Sequence, residues 1–338
     1  TGTRNPVLRG GLAEGVATLF ASAANYLANV LLGRQLEARA FADAAMVVSG
    51  MLLLSAVALG LQLTVARCIC TGGDATAIRR LQRRARFVGV GVGGAVVLAS
   101  PAIAAVFAME SAVPIALLGA GVPIFFALAV RRGMLQADQR FGRLAISQFV
   151  EPVTRLAVTA GALAVGLGTS SAAVGLMVAF AAGWLVSRPG GALPVVVDAG
   201  GTVARTAIAA TVLLLVGQVV IANGDLWVVS AMRSEDAGLY AAVALIGRLV
   251  YVAAWSIVTV LFPTLVNGAS GDRDELLRRG VVATAAVGTS LSLAAFVAGD
   301  RLVVAMVGDE FEGAGSLLGP YALATTLFVM SNLVAVAD

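Results

Sequence analysis

Ten apolar runs, most of them about twenty residues long, set the terms on which this chain can fold. They cover residues 11–33, 43–66, 87–109, 111–131, 146–168, 170–187, 204–231, 238–266, 281–306 and 315–337. A helix rising about 1.5 Å per residue crosses the hydrocarbon core of a bilayer in about 20 residues, with its backbone hydrogen bonds closed internally. No ten-residue alternation of the membrane β-barrel kind is visible. The chain is 59% hydrophobic and only 12% charged, with a mean hydropathy of +0.94, a balance foreign to soluble globular domains. The expected class is an all-α polytopic membrane protein. The polar, short start TGTRNPVLRG does not read as a cleavable signal.

Orientation follows from arginine, since every basic residue is Arg and there is no Lys or His. One side of the predicted membrane carries Arg4, Arg9, Arg67, Arg79, Arg80, Arg83, Arg84, Arg86, Arg131, Arg132, Arg140, Arg143, Arg188, Arg205, Arg273, Arg278 and Arg279. The other carries Arg34, Arg39, Arg233 and Arg301, together with the acids Glu37, Asp43, Glu110, Glu235, Asp236, Asp300, Asp309, Glu310 and Glu312. A bias of about four to one puts the amino terminus in the cytoplasm. The net charge of +4 sits at helix ends and is no nucleic-acid signal. The connection 67–86 reads as a solvated amphipathic helix on an anionic leaflet. Cys68 and Cys70 read as a reduced, unligated pair, and no metal site is expected.

The chain repeats weakly at a spacing of about 200 residues: 24–48 resembles 222–246, with Asn25 on Asn223 and Glu37 on Glu235. The expectation is two pseudo-symmetric helical lobes, six spans in 1–187 and four of six in 204–338, joined by a Pro/Gly linker at 188–203. On this reading the second lobe stops before an eleventh and a twelfth span. The stretch Gln218–Pro263 is the most informative. Two spans flank the turn Arg233–Asp236, and they carry Asn223, Asp225 and Arg248 inside the membrane. Ionisable groups there cost a few kcal/mol and normally face a partner or a pathway. Asp225 and Arg248 either pair across the two helices or leave Asp225 open to a coupling ion.

Other polar sets allow two readings each. Gln148, Glu151 and Arg155 share one face of the fifth span; Glu151 either caps the helix at the surface beside Arg155 or faces a cavity. Ser22, Asn25 and Asn29 stripe the first span, and Gln218 and Asp225 the seventh. Such stripes either bind helices together or line a cleft. Pro114, Pro123 and Pro263 are expected inside spans as kinks. Trp227, Tyr240 and Trp255 fit interfacial belts or cavity walls.

Several pieces together resemble the bacterial polysaccharide flippases of the multidrug/oligosaccharidyl-lipid/polysaccharide exporter superfamily. They are N-x-D at Asn223 and Asp225, A-G-L-Y at Ala237–Tyr240, G-R at Gly247–Arg248 and V-L-F-P at Val260–Pro263. The first lobe adds Arg131–Phe141 and E-P-V-T-R-L at Glu151–Leu156, running into G-L-G at Gly166–Gly168. The resemblance implies two lobes around a cavity open alternately to each face of the bacterial cytoplasmic (inner) membrane. It implies export of a polyprenyl-pyrophosphate-linked oligosaccharide from the cytoplasmic to the outer leaflet. Arg67, Arg155 and Arg248 would then meet phosphate or anionic sugar, with Asn25, Asn29, Gln148, Gln218 and Asn223 also contacting substrate. Asp225 and Glu151 would bind a coupling proton or Na+. No cofactor, no catalytic constellation and no nucleic-acid partner are expected; membrane lipids are. The rival readings are a cation-coupled multidrug antiporter of the same superfamily and a non-transporting membrane scaffold.

Overall fold

The computed structural model describes residues 6–70, 75–188, 202–267 and 273–337, with the side chains of 6–18, 75–78, 202–209, 211, 254–267, 273–277 and 332–337 outside the described set. Ten α-helices account for almost all of it: α1 (Pro6–Gln35), α2 (Ala38–Cys70), α3 (Ala75–Val106), α4 (Val113–Ala137), α5 (Phe141–Ala164), α6 (Ser170–Val186), α7 (Thr202–Met232), α8 (Ala237–Asn267), α9 (Arg273–Val307) and α10 (Leu318–Ala337). No strand occurs among the described residues. Each expected span has its helix. Six meet the length and hydropathy needed to cross a membrane among the described residues. The 17-residue α6 is shorter, and α5 is diluted by Arg143, Glu151 and Arg155.

The ends show where periodicity misleads. The basic stretch 75–86 is no separate surface helix; it forms the first turns of α3. Leu81 and Ala85 pack there against Val65 and Ile69 of α2 and Val130 and Met134 of α4, while Arg79, Arg80, Arg83, Arg84 and Arg86 are exposed. Pro114 is not interior to α4. It occupies the first turn, where its missing N–H costs nothing, and Pro123 is the interior one. Pro263 and Trp255 lie outside the described side chains. The turn after α5 uses positive φ at Gly166 and Gly168.

By contact the chain forms two compact units. Unit 1 is Thr1–Leu36 with Asp43–Ser234, and unit 2 is Glu37–Ala42 with Glu235–Asp338. Within unit 1, α3 packs on α4, α4 on α6, α6 on α5 and α5 on α1. Helix α7 joins this unit through Trp227, whose indole donates to Ser49 Oγ of α2 at 2.7 Å, and through Val212, which fills the space beside Gly60. Contact and sequence repeat thus place α7 differently, and most of the 188–203 linker lies outside the described residues. Within unit 2, α8, α9 and α10 pack on one another. The first turn of α2 joins them: Glu310 accepts the Ala38 N–H at 2.8 Å, and Phe41 meets Phe311 edge to face.

Close helix contacts rest on glycine in both units. On α3 a Cβ at Gly93 would stand 2.5 Å from the Gly119 carbonyl of α4. In unit 2, Gly299 and Gly315 meet backbone to backbone beside the non-helical Ala298 of α9. Small residues let helices in a bilayer approach closely, so dispersion and packing replace the missing hydrophobic drive. The apolar side chains turned outward, among them Leu19, Leu98, Leu213 and Val297, are the surface a lipid environment would cover. Gly93→Val is expected to destabilise unit 1 by about 1–3 kcal/mol through overpacking. Gly94→Val, on the open side of the same helix, should leave the thermal midpoint in detergent nearly unchanged.

Candidate functional site

The polar side chains of unit 1 converge on one stripe of α5. Ser147, Glu151, Arg155 and Thr159 follow at intervals of four, so each lies one turn above the last on the same helix face. Three of them are essentially fully buried, Arg155 at 4% exposure, and Glu151 is half-buried.

Arg155 is the centre. Its Nη1 donates to Asn25 Oδ1 and its Nη2 to Asn29 Oδ1, each at 2.8 Å. Both asparagines sit one turn apart on α1, so the guanidinium fork spans two turns of its neighbour and fixes the α1–α5 register. Its Nε has no hydrogen-bond partner. The nearest carboxylate, Glu151, is engaged elsewhere: Arg132 of α4 approaches its Oε2 at 2.6 Å. Arg132 also donates from Nε to Ser147 Oγ at 3.0 Å and from Nη2 to the Ser147 carbonyl at 2.9 Å. Ser187, at the end of α6, donates to Ser147 Oγ at 2.7 Å. The stripe therefore ties α5 to α1, α4 and α6 at once.

The electrostatic balance is positive. Two guanidinium groups, Arg132 and Arg155, face one carboxylate, and the remaining partners are neutral amides, hydroxyls and a backbone carbonyl. Buried charge is tolerated only when paired and hydrogen-bonded. Here both Nη groups of Arg155 are hydrogen-bonded, but half of the positive charge is left uncompensated. Because Arg155 fixes both Oδ1 atoms toward itself, each asparagine keeps an amide N–H2 as a remaining donor. The Gln148 carboxamide oxygen nearby is buried without a partner, as are the hydroxyls of Thr159 and Ser171.

The structure brings Asn25, Asn29, Glu151 and Arg155 together and puts Gln148 beside them on α5. It does not bring Arg67 there: that residue is exposed in the last turn of α2. Gln218 is exposed on α7, Asn223 is buried and donates to the Val219 carbonyl of its own helix at 2.8 Å, and Asp225 Oδ1 accepts the Leu226 N–H at 2.8 Å. Asp225 belongs to unit 1 and the half-buried Arg248 to unit 2. Sequence reasoning missed Arg132, Ser147 and Thr159. The interval of four running through 147, 151, 155 and 159 was the available signal; Arg132 was hidden because its basic pair reads as a loop. Among the described residues no cluster of His, Cys, Asp and Glu could hold a metal, and neither Cys68 nor Cys70 is in a disulfide.

The described residues form an all-helical bundle of apolar helices with a buried, hydrogen-bonded charge network, and the solved structures whose fold it resembles are membrane transporters. An inward-facing multidrug resistance MATE family transporter of the MOP superfamily superposes with a TM-score of 0.71 at 10% identity, over 96% of this chain and 82% of that one. An outward-facing conformation of such a transporter gives 0.60 at 13% identity, over 98% and 81%. A MOP superfamily transporter from Pyrococcus furiosus, described by the reverse polarity of its binding pocket, gives 0.61 at 12% identity, over 98% and 83%. At these identities the likeness is one of fold. No curated protein matches the sequence. The model of the polysaccharide biosynthesis protein family matches residues 7–268, and the chain belongs to that family.

The Arg155 fork gives a direct stability test. In a double-mutant cycle of Arg155→Met with Asn29→Leu, the two residues should show a coupling energy of about 1–2 kcal/mol, the range of a charge-assisted bond between membrane helices. Reversible unfolding in mixed micelles measures it. Additivity within about 0.3 kcal/mol would mean the fork contributes no stability.

Proposed function

We propose that this protein moves polyprenyl-pyrophosphate-linked oligosaccharide from the cytoplasmic to the outer leaflet of a bacterial inner membrane by alternating access. The observation that carries this reading is Arg155: a buried cation held by two neutral amides, while its neighbouring carboxylate is committed to Arg132. An anion is the natural complement to that surplus charge, and forked guanidinium donors suit phosphate oxygens. The Asn25 and Asn29 amide donors fit sugar hydroxyls or phosphate equally well. Membership of a polysaccharide biosynthesis family supports a glycan on that anion.

On this reading the lobes are 1–187 and 204–338, joined through 188–203, and the amino terminus is cytoplasmic, as the arginine bias indicates. Arg67 and Arg248 also meet the anionic cargo, and Gln148, Gln218 and Asn223 contact it as well. Asp225 and Glu151 carry the coupling ion, a proton or Na+; for Glu151 this requires surrender of its pair with Arg132. A cation-coupled multidrug antiporter would instead call for a surplus of buried acid, and the α5 stripe has the opposite balance.

In cells that depend on export of a lipid-linked glycan, Arg155→Gln with Arg248→Gln should abolish export while the protein stays inserted in the membrane, with export normalised to abundance. Arg155→Lys with Arg248→Lys should retain part of the activity, since charge is kept and the fork is lost. Unimpaired export by the glutamine pair would overturn the anionic-cargo reading.

Ion coupling is tested separately in proteoliposomes. Asp225→Asn and Glu151→Gln should each remove the acceleration of transport by an imposed proton or sodium gradient. A gradient response that survives both substitutions would show that neither carboxylate couples.

A further inference from the structure

We infer that Arg86, Arg131 and Arg188 form a binding site for the phosphate headgroup of an anionic membrane lipid, separate from the transported cargo. The three come from different elements: Arg86 from the first turns of α3, Arg131 from the last third of α4, and Arg188 from just past the end of α6. Arg86 and Arg188 stand close enough to Arg131 for both charges to act on it. Among the described residues no carboxylate forms an ion pair with any of them. Arg143 of α5 adds a fourth guanidinium, donating from Nη1 to the Arg188 carbonyl at 3.1 Å.

Such a cluster repels itself unless an anion joins it, and it is not a loose collection of surface side chains. The Arg131 guanidinium lies over the Trp184 indole of α6, 3.7 Å from the ring centroid, and donates to the Trp184 carbonyl. Stacking of this kind fixes the fork before a ligand arrives. Its sequence neighbour Arg132 is turned the other way, into the α5 stripe, so the two adjacent arginines serve different sites.

The surroundings identify the anion as a lipid's. Directly beside the cluster, Phe87 is 64% exposed on α3, followed by exposed Val88; Leu185 and Val186 are exposed on α6. Apolar side chains of this size facing outward are covered by acyl chains in a membrane protein. A molecule with an apolar tail along Phe87 and Leu185 and a phosphate at its head meets both features. A free phosphate uses only the arginines. Each arginine at a membrane surface strengthens attraction to anionic lipid several-fold, and a converging set adds geometric selectivity to that attraction.

The test uses the full chain in nanodiscs of phosphatidylcholine, with and without phosphatidylglycerol. The thermal midpoint of the wild-type protein should rise as phosphatidylglycerol is added. Arg86→Gln with Arg188→Gln changes two exposed residues and leaves the Arg131–Trp184 stack in place. It should abolish most of that rise and weaken phosphatidylglycerol binding by about tenfold or more. Arg79→Gln with Arg80→Gln removes the same charge from exposed positions on the same helix and should keep most of the rise. Equal losses in the two variants would overturn the site and leave only a diffuse basic surface. An equal rise from glycerol phosphate added to phosphatidylcholine nanodiscs would overturn the lipid as occupant. A rise unchanged by Arg86→Gln with Arg188→Gln would remove these residues from lipid binding altogether. Lipid binding is read here without transport, so its failure does not bear on the cargo.

Discussion

Placing a guanidinium inside a helical membrane protein is the constraint around which unit 1 is built. An arginine at that depth is costly unless its donors are met and its charge is offset. Arg155 meets part of this by drawing α1 close with Asn25 and Asn29, while Glu151, one turn away, is paired with Arg132 of α4. Ser147 then accepts from Arg132 Nε and Nη2 and passes the contact on to Ser187 of α6. Four helices are thus registered by one polar stripe, and apolar packing fills in around it. Polar contacts between membrane helices are individually modest, so their value here lies in fixing which turn of each helix meets which.

The same stripe links architecture to chemistry. Neutral amides can orient a guanidinium without cancelling it, whereas a carboxylate would do both. The protein uses the carboxylate on Arg132 and the amides on Arg155, so the cation nearest α1 is the one left with surplus charge. Thr159 and Ser171, buried above it with unsatisfied hydroxyls, extend the polar track along α5 and α6. Gly175 packs directly on Thr159, which shows how closely those two helices run.

Much of the fold was readable from hydropathy because a bilayer leaves the backbone so few options. All ten spans correspond to helices, and α5 stops at Ala164, short of the expected 168, before the turn at Gly166–Gly168. The misplacements have physical causes. Leu81 and Ala85 bury the basic start of α3 against α2 and α4, and no charge count foretells that. Pro114 fits a first turn as easily as an interior, and only the loop before it decides. Of the candidate residues, Asn25 with Asn29 and Glu151 with Arg155 were legible as one-face pairs because helical spacing is local information, while their meeting is set by how α1 packs on α5. Arg132 escaped notice because its partner is set by how α4 crosses α5, which spacing along one helix does not encode. Trp227 was read as belt or cavity wall, yet its indole donates to Ser49, a choice made by a helix well over a hundred residues away.

The opening turn of α2 carries a consequence for biosynthesis. Residues 37–42 begin a helix of unit 1 but pack with unit 2: Ala38 lies against Gly238 and bonds Glu310, and Phe41 packs on Phe311. The Ala38 to Glu310 bond closes a loop of 272 residues. A ribosome adding about 5–20 residues per second needs roughly 15–55 seconds to deliver the acceptor. Through that interval the first turn of α2 waits without its partners, while the rest of the helix can already pack in the membrane. Completion of this protein is therefore paced by translation of α8 to the turns before α10, and a pause there leaves a half-clasped helix for the insertion machinery to hold.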